Sequence, residues 1–330
     1  MPSGAGESIS FVRPLGTSPI SFRVNTVNSE PITTKLYPAS LASRCSVFIR
    51  KIVSTPSGDK HFGTGTGFHY RDHLGNSWLV TNWHVLTGRR PDNPGILLSD
   101  APQSPYRIEV TYPSSKIGAF LPPVHLDIYQ DGRPIWKERL LDKGVDVAAI
   151  PVSPPDGASV PFVQDFASSK SVSMQPGIDV VIIGFPFEQN QDMPFPVWKK
   201  AMISSEPGYT AFGQLQVLVD TPGLPGMSGS PVFTISQGMS VGKEQYEALR
   251  AFERGDRSAV DAINALDLTA AEPMPCLTFA GIYAGSTGKG MAGLERLGLG
   301  RIMLAPLVGM IVKDGQAGTN PFIPKRHVSK

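Results

Sequence analysis

Three residue types that together can carry out acyl transfer follow one another along the chain: His84, Asp146 and Ser228. Ser228 lies in Asp220-Thr-Pro-Gly-Leu-Pro-Gly-Met-Ser-Gly-Ser-Pro-Val-Phe233, between Gly226 and Gly229. Glycines on both sides let backbone, rather than side chains, approach a bound group. A serine held there can attack a carbonyl while neighbouring N–H groups point at the developing oxyanion. Read alone, the stretch fits a Gly/Ser turn equally well. His84 sits in Leu79-Val-Thr-Asn-Trp-His-Val85 and could take the serine proton. Asp146 opens Val145-Asp-Val-Ala-Ala-Ile150, where a carboxylate among apolar neighbours is costly unless hydrogen-bonded. A histidine N–H is one natural partner. Asp127, in His-Leu-Asp-Ile, competes for that role, but its alternating context turns the side chain toward solvent. Asp146 is therefore preferred. In this arrangement the backbone N–H groups of Gly226 and Ser228 would hold the oxyanion.

Such side chains need rigid elements to place them. The 330 residues include 34 Gly and 31 Pro, and only 18% are charged. That load disfavours a helical bundle and suits short strands joined by tight turns. From Cys45 onward the strand candidates are 46–53, 63–70, 77–82, 107–112, 124–130, 133–140 and 145–152, with a hairpin turn at Asp131-Gly132. The strand 77–82 delivers Trp83-His84. A Pro/Ser-rich joint at 153–157 separates these from a second set: 179–185, 196–204, 214–220, 230–235, 277–284 and 301–312. Between them, 243–254 and 258–268 carry apolar residues three apart, and Ser258 with Asp261 suits a capping box. Two short helices inserted into a β unit are expected there. Residues 1 to about 40 read as an extended arm with one short strand near 32–37.

The three segments resemble the trypsin-like, chymotrypsin-fold serine peptidases. Thr81-Asn-Trp-His-Val85 is similar to the family's histidine motif, Val145-Asp-Val-Ala-Ala149 to its aspartate motif, and Gly226-Met-Ser-Gly-Ser-Pro231 to its serine motif. The texture is nearest to the bacterial branch of glutamyl endopeptidases and high-temperature-requirement proteases. The resemblance implies an all-β fold of two six-stranded antiparallel barrels with the site between them. The expected organisation is an arm (1–41), a first barrel with His84 and Asp146 (42–155), a second barrel with Ser228 (156–315) and a helical insertion (238–274), and a C-terminal tail (316–330). It also implies that Phe279-Ala-Gly-Ile-Tyr-Ala-Gly-Ser286 pairs with substrate backbone. Thr221, Ala284, Gly285 and Ser286 would then line the specificity pocket. No aspartate stands at the pocket floor, so a preference for Arg or Lys is not supported.

Met227 stands where the digestive enzymes carry the aspartate that captures a new N-terminus. Activity is therefore expected without N-terminal cleavage. The helical insertion reads either as surface decoration or as a lid or docking element for a regulatory protein partner.

Other readings carry less. A Gly-x-Ser-x-Gly esterase elbow is excluded by Ser230 at the fifth position and by the lack of a histidine after Ser228 other than His327. A catalytically silent or latent protease fold acting as a binding module stays open. His69 and His73 flank a turn rather than lying on a helix, so no metal is expected. Gly63-Thr-Gly-Thr-Gly67 lacks the Lys-Ser/Thr of a phosphate loop; its glycines suit close barrel packing. No cofactor is implied. A net charge of +2 without a basic cluster argues against nucleic acid, and Lys325-Arg326-His327 reads as a solvated basic end. Cys45 and Cys276 are expected as reduced thiols. No signal peptide is evident, and the apolar run 302–312 is too short to span a bilayer. A soluble, cytoplasmic protein acting on proteins or peptides is expected.

Overall fold

The computed structural model describes residues 40–116, 118–139, 144–166, 174–187, 195–207, 216–239, 251, 255–256, 273–286 and 297–327. The chain divides into two units, Met1–Leu36 and Tyr37–Lys330. The first lies outside the described residues, as do the expected strand near 32–37 and nearly all of the helical insertion. The described strands and helices belong to the second.

A helical turn, α1 (Leu41–Arg44), leads into β1 (Ser46–Thr55), β2 (Gly58–Arg71) and β3 (Ser77–Thr81). After β3 comes α2 (Trp83–Thr87), then β4 (Arg107–Thr111) and β5 (Val124–Asp127). β6 (Tyr129–Gln130) and β7 (Arg133–Pro134) form a hairpin over Asp131 and Gly132, both at positive φ (50° and 73°). β8 (Lys137–Glu138) and β9 (Ala148–Ile150) complete this half. The second half holds β10 (Asp179–Gly184), β11 (Val197–Met202), β12 (Gln216–Val219), β13 (Pro231–Met239), β14 (Pro273–Ser286) and β15 (Gly300–Leu304). Helix α3 (Ala305–Asp314) and β16 (Gln316–Ala317) follow.

The second-half strands form one antiparallel sheet in the order β11-β10-β13-β14-β15-β12. A bridge between Ile203 and Val219 joins the two edges, with Ser204 N–H on the Leu218 carbonyl (2.8 Å), so six strands close into a barrel. Val180, Ile182, Val217, Val219, Val232, Tyr283 and Ile302 fill it. The first-half sheet runs β16-β8-β9-β3-β2-β1-β4-β5, with Val47, Ile49, Leu79, Trp83, Val85 and Ile108 in its core. Alternation along each strand sends the other face outward. Phe68, Val80, Ala149, Val181, Ile183, Phe233 and Ile282 thus meet in a third cluster that joins the halves. Burying each of the Phe, Val and Ile side chains here is worth about 1.5–3 kcal/mol. Glycines set the spacing: a methyl on Gly65 would lie 2.7 Å from Val85 Cγ1, and one on Gly67 2.9 Å from Ile49 Cδ1.

Four expectations change. The apolar run 301–312 is a strand only to Leu304, because Pro306 starts helix α3, which buries Leu307, Val308, Ile311 and Val312 on one face. The strand expected over 145–152 is only Ala148–Ile150. The first sheet holds eight strands where six are expected, one of them β16 from the C-terminal segment, which pairs with β8. The C-terminal segment is also not a free tail. Trp83 Nε1 donates to the Thr319 carbonyl (3.2 Å), Asn320 Nδ2 to Tyr129 Oη (2.8 Å), and His327 N–H to Ser54 Oγ (2.9 Å). The side chains of Lys325, Arg326 and His327 are nonetheless exposed. Cys45 and Cys276 are both free. No helix among the described residues is long and apolar enough to cross a membrane.

Candidate active site

His84 rides on α2, the single helical turn after β3. The turn is short because Gly88 ends it in the left-handed region, and it is anchored by Trp83, Val85 and Leu86 in the first core. Asp146 lies just before β9, the neighbour of β3. It is fully buried and its carboxylate grips His84 twice. Oδ2 is 2.5 Å from imidazole Nδ1, and Oδ1 accepts the His84 backbone N–H at 3.0 Å. Asn82 Nδ2 donates to the Asp146 carbonyl (2.6 Å), fixing the segment from the other side. A buried carboxylate needs such partners to stay in place. With its Nδ1 side facing the carboxylate, His84 keeps Nε2 for another group. Asp127, the competing acid, lies at an exposed strand end and pairs with Arg107.

The Ser228 loop enters from the other barrel, between β12 and β13. Its carbonyls are tied down in turn. Phe187 N–H donates to the Pro225 carbonyl (2.7 Å) and Thr66 Oγ1 to that of Gly226 (2.8 Å). Ser230 N–H and Oγ both donate to Met227 O (3.1 and 2.6 Å), and Thr66 N–H donates to Ser228 O (2.8 Å). In a trans peptide the N–H points away from the preceding carbonyl. Tying Pro225 O and Met227 O therefore turns the N–H groups of Gly226 and Ser228 to the opposite side, where neither donates to any described residue. Gly226 has φ 90° and Gly229 φ 88°, and a methyl on Gly229 would overlap the Thr66 carbonyl. Met227 is buried in the second barrel among apolar side chains, and among the described residues no buried carboxylate holds the loop.

The two halves meet at Thr66. Its carbonyl accepts from Thr81 Oγ1 (2.7 Å), three residues before His84, while its N–H and hydroxyl hold the serine loop. Ser228 Oγ makes no hydrogen bond to His84 or to another described residue; it lies beside Gly285, 3.4 Å from where a methyl there would stand. Of the other expected pocket residues, Thr221 and Ala284 are buried and Ser286 is exposed. The Ala284 carbonyl accepts from Arg301 Nη2 (3.2 Å).

Thr66, Phe187, Tyr283 and Gly223 also shape this region, and none of them is among the expected site residues. Thr66 stands between Gly65 and Gly67, a pattern that the sequence alone explains by close packing. His69 is fully buried in β2, bonded through Nδ1 to Ser77 Oγ (2.8 Å) and through Nε2 to Tyr112 Oη (3.3 Å). Burial pushes its pKa down to about 3. No cluster of metal-ligating side chains occurs among the described residues.

The family model of a trypsin-like peptidase domain matches residues 65–242, more than half of the chain and a span that includes His84, Asp146 and Ser228. No curated protein matches the chain. Among solved structures, the thermostable serine protease AL20 from an extremophilic microorganism is 13% identical, covering 59% of this chain and 80% of its own (TM-score 0.35). Protease Anisep from Arthrobacter nicotinovorans is 8% identical, covering 82% and 94% (TM-score 0.39). HL collagenase is 11% identical, covering 82% and 92% (TM-score 0.38). The family assignment rests on the matched domain and not on these low scores.

Proposed function

We propose, from the premise that this chain belongs to the trypsin-like peptidase family, that it is a serine endopeptidase working through an acyl-enzyme. Ser228 Oγ attacks the scissile carbonyl. His84 Nε2 takes its proton and later returns it to the leaving amine. Asp146 holds the imidazole tautomer and stabilises the imidazolium that forms. The N–H groups of Gly226 and Ser228 receive the oxyanion; losing one such donor typically costs about 3 kcal/mol of transition-state stabilisation. The observation that supports this reading best is the double grip of Asp146 on His84. The Ser-Gly-Ser-Pro and Thr-Asn-Trp-His-Val textures support the bacterial glutamyl-endopeptidase and high-temperature-requirement branch.

Activity does not require a cut N-terminus, because buried Met227 offers a new amino group no carboxylate. The substrates are proteins or peptides, and Phe279–Ser286 is the strand that pairs with them. A fluorophosphonate should label Ser228 in the intact chain, and the label should vanish in Ser228→Ala and His84→Ala.

One observation favours a second reading, a latent or silent protease fold that binds a partner: the Ser228 hydroxyl makes no hydrogen bond to His84 among the described residues. Hydrogen bonds of this kind often form only with substrate bound. Labelling that appears only after a partner is added would select the gated form, and absence of labelling under all conditions the silent one.

A further inference from the structure

The proposed chemistry fixes where a substrate carbonyl sits: its carbon at Ser228 Oγ, its oxygen toward Gly226 and Ser228 N–H. As the trypsin-like resemblance implies, the side chain of the residue that supplies this carbonyl points between the segment Thr221–Leu224 and the end of β14, where Gly285 lies alongside Ser228 Oγ. That space is nearly closed. Gly223 lies against Ser286, so that a methyl on Gly223 would stand 3.0 Å from both the Ser286 nitrogen and Oγ.

Below this contact the space is already filled. Gly300 pairs with Ser286 in the β14–β15 ladder, so whatever covers Gly300 lies under the Gly223–Ser286 contact. Tyr283 covers it. A methyl on Gly300 would stand 2.6 Å from Tyr283 Cε2, 2.9 Å from its hydroxyl and 3.0 Å from the Thr221 carbonyl oxygen. Tyr283 is 1% exposed. Its backbone is pinned to the serine loop on both sides. Tyr283 N–H donates to Ser230 O and Gly229 N–H donates to Tyr283 O, each at 2.9 Å. The opposite wall is held as well, because Lys199 Nζ donates to Pro222 O (2.7 Å). The ring cannot slide away without breaking the strand that carries it, and a well-packed wall resists even one added methylene.

We propose that the pocket beside Ser228 is shallow, floored by the Tyr283 ring, and that the enzyme cleaves after residues with the smallest side chains, glycine, alanine and serine. This rests on the serine-peptidase reading. It makes Tyr283 a specificity-determining residue and sets the substrate class by exclusion, a hydrophobic wall discriminating chiefly by what it cannot admit.

The test uses the intact chain with a featureless fluorophosphonate and a set of peptidyl diphenyl phosphonates. These carry the side chain of Ala, Met, Phe or Lys next to phosphorus. In each diphenyl phosphonate Ser228 Oγ forms the bond to phosphorus, phenoxide leaves, and the serine proton passes through His84 to the leaving group. The expected result is labelling by the fluorophosphonate and the Ala reagent, with Phe and Lys reagents slower by about 100-fold. Tyr283→Val should speed the Met and Phe reagents about tenfold or more, while Tyr283→Phe, which keeps the ring, should leave the ranking unchanged. Phe or Lys reagents that match the Ala reagent on wild-type protein would overturn the shallow pocket and leave the peptidase standing. A chain whose Ser228 resists even the fluorophosphonate would remove both. If Tyr283→Val does not fold, the wild-type ranking decides alone.

Discussion

Asp146 holds His84 at two points, its Oδ2 on the imidazole Nδ1 at 2.5 Å and its Oδ1 on the backbone N–H at 3.0 Å. The first contact sets the ring's tautomer, and the second fixes the turn that carries the ring. In Asp146→Asn the amide offers an N–H where the imidazole N–H needs an acceptor, favouring the wrong tautomer. Turnover should fall by about 10⁴ with the fold retained. Steady-state hydrolysis together with a thermal melt checks this; a drop below tenfold would mean that the pair only braces the turn.

Thr66 offers a separate handle on the oxyanion. Its hydroxyl donates to Gly226 O and accepts from Phe185 N–H (3.1 Å), so Thr66→Val releases the Gly226–Met227 peptide, which lies between the two peptides that carry the oxyanion donors. The expected effect is a fall in kcat of about 10- to 100-fold with KM little changed, and Thr66→Ser should recover most of it. A rise in KM instead, or no rescue by serine, would reduce Thr66 to a packing residue.

How much of this was legible in the sequence depends on the range of the forces involved. His84, Asp146 and Ser228 each stand in a short local motif, and the meander of strands follows from period-2 patterning broken by Gly and Pro. Thr66 and Phe187 act on a loop far along the chain through single hydrogen bonds, which leave no local pattern. The same holds for the C-terminal strap, whose contacts with Trp83, Ser54 and Tyr129 join distant parts of the chain. The run 301–312 misled because continuous apolar sequence suits a buried strand and a buried helix alike; Pro306 was the local clue.

Acid should weaken the fold through His69. Its folded pKa, near 3, lies below the ordinary 6.5 because burial disfavours the charged ring. Between these values the unfolded chain binds a proton that the folded chain does not, so stability falls as pH drops from 6.5 toward 3 and levels off below. At pH 5 the loss from this group is about 2 kcal/mol. Urea unfolding at pH 7 and pH 5 should show that much less loss in His69→Gln than in wild type. Equal losses would show that the ring is not kept neutral.

The two thiols should differ. Cys45 is fully buried, its Sγ donates to Ala42 O (2.9 Å), and burial pushes its pKa up to about 12. Cys276 is partly exposed. A chromogenic thiol reagent at neutral pH should find one reactive cysteine in the native chain and two after denaturation. Immediate reaction of both would mean that the segment around α1 opens readily.

The most direct measurement of the central claim is capture of the covalent intermediate. The intact chain, mixed with a p-nitrophenyl ester of a short peptide ending in alanine and quenched within the first turnover, should give a nitrophenol burst close to one per active site. Mass spectrometry should then find the acyl group on Ser228, with no adduct in Ser228→Ala. Turnover that persists in Ser228→Ala, or an intact chain that hydrolyses the ester without acylated Ser228, would contradict it.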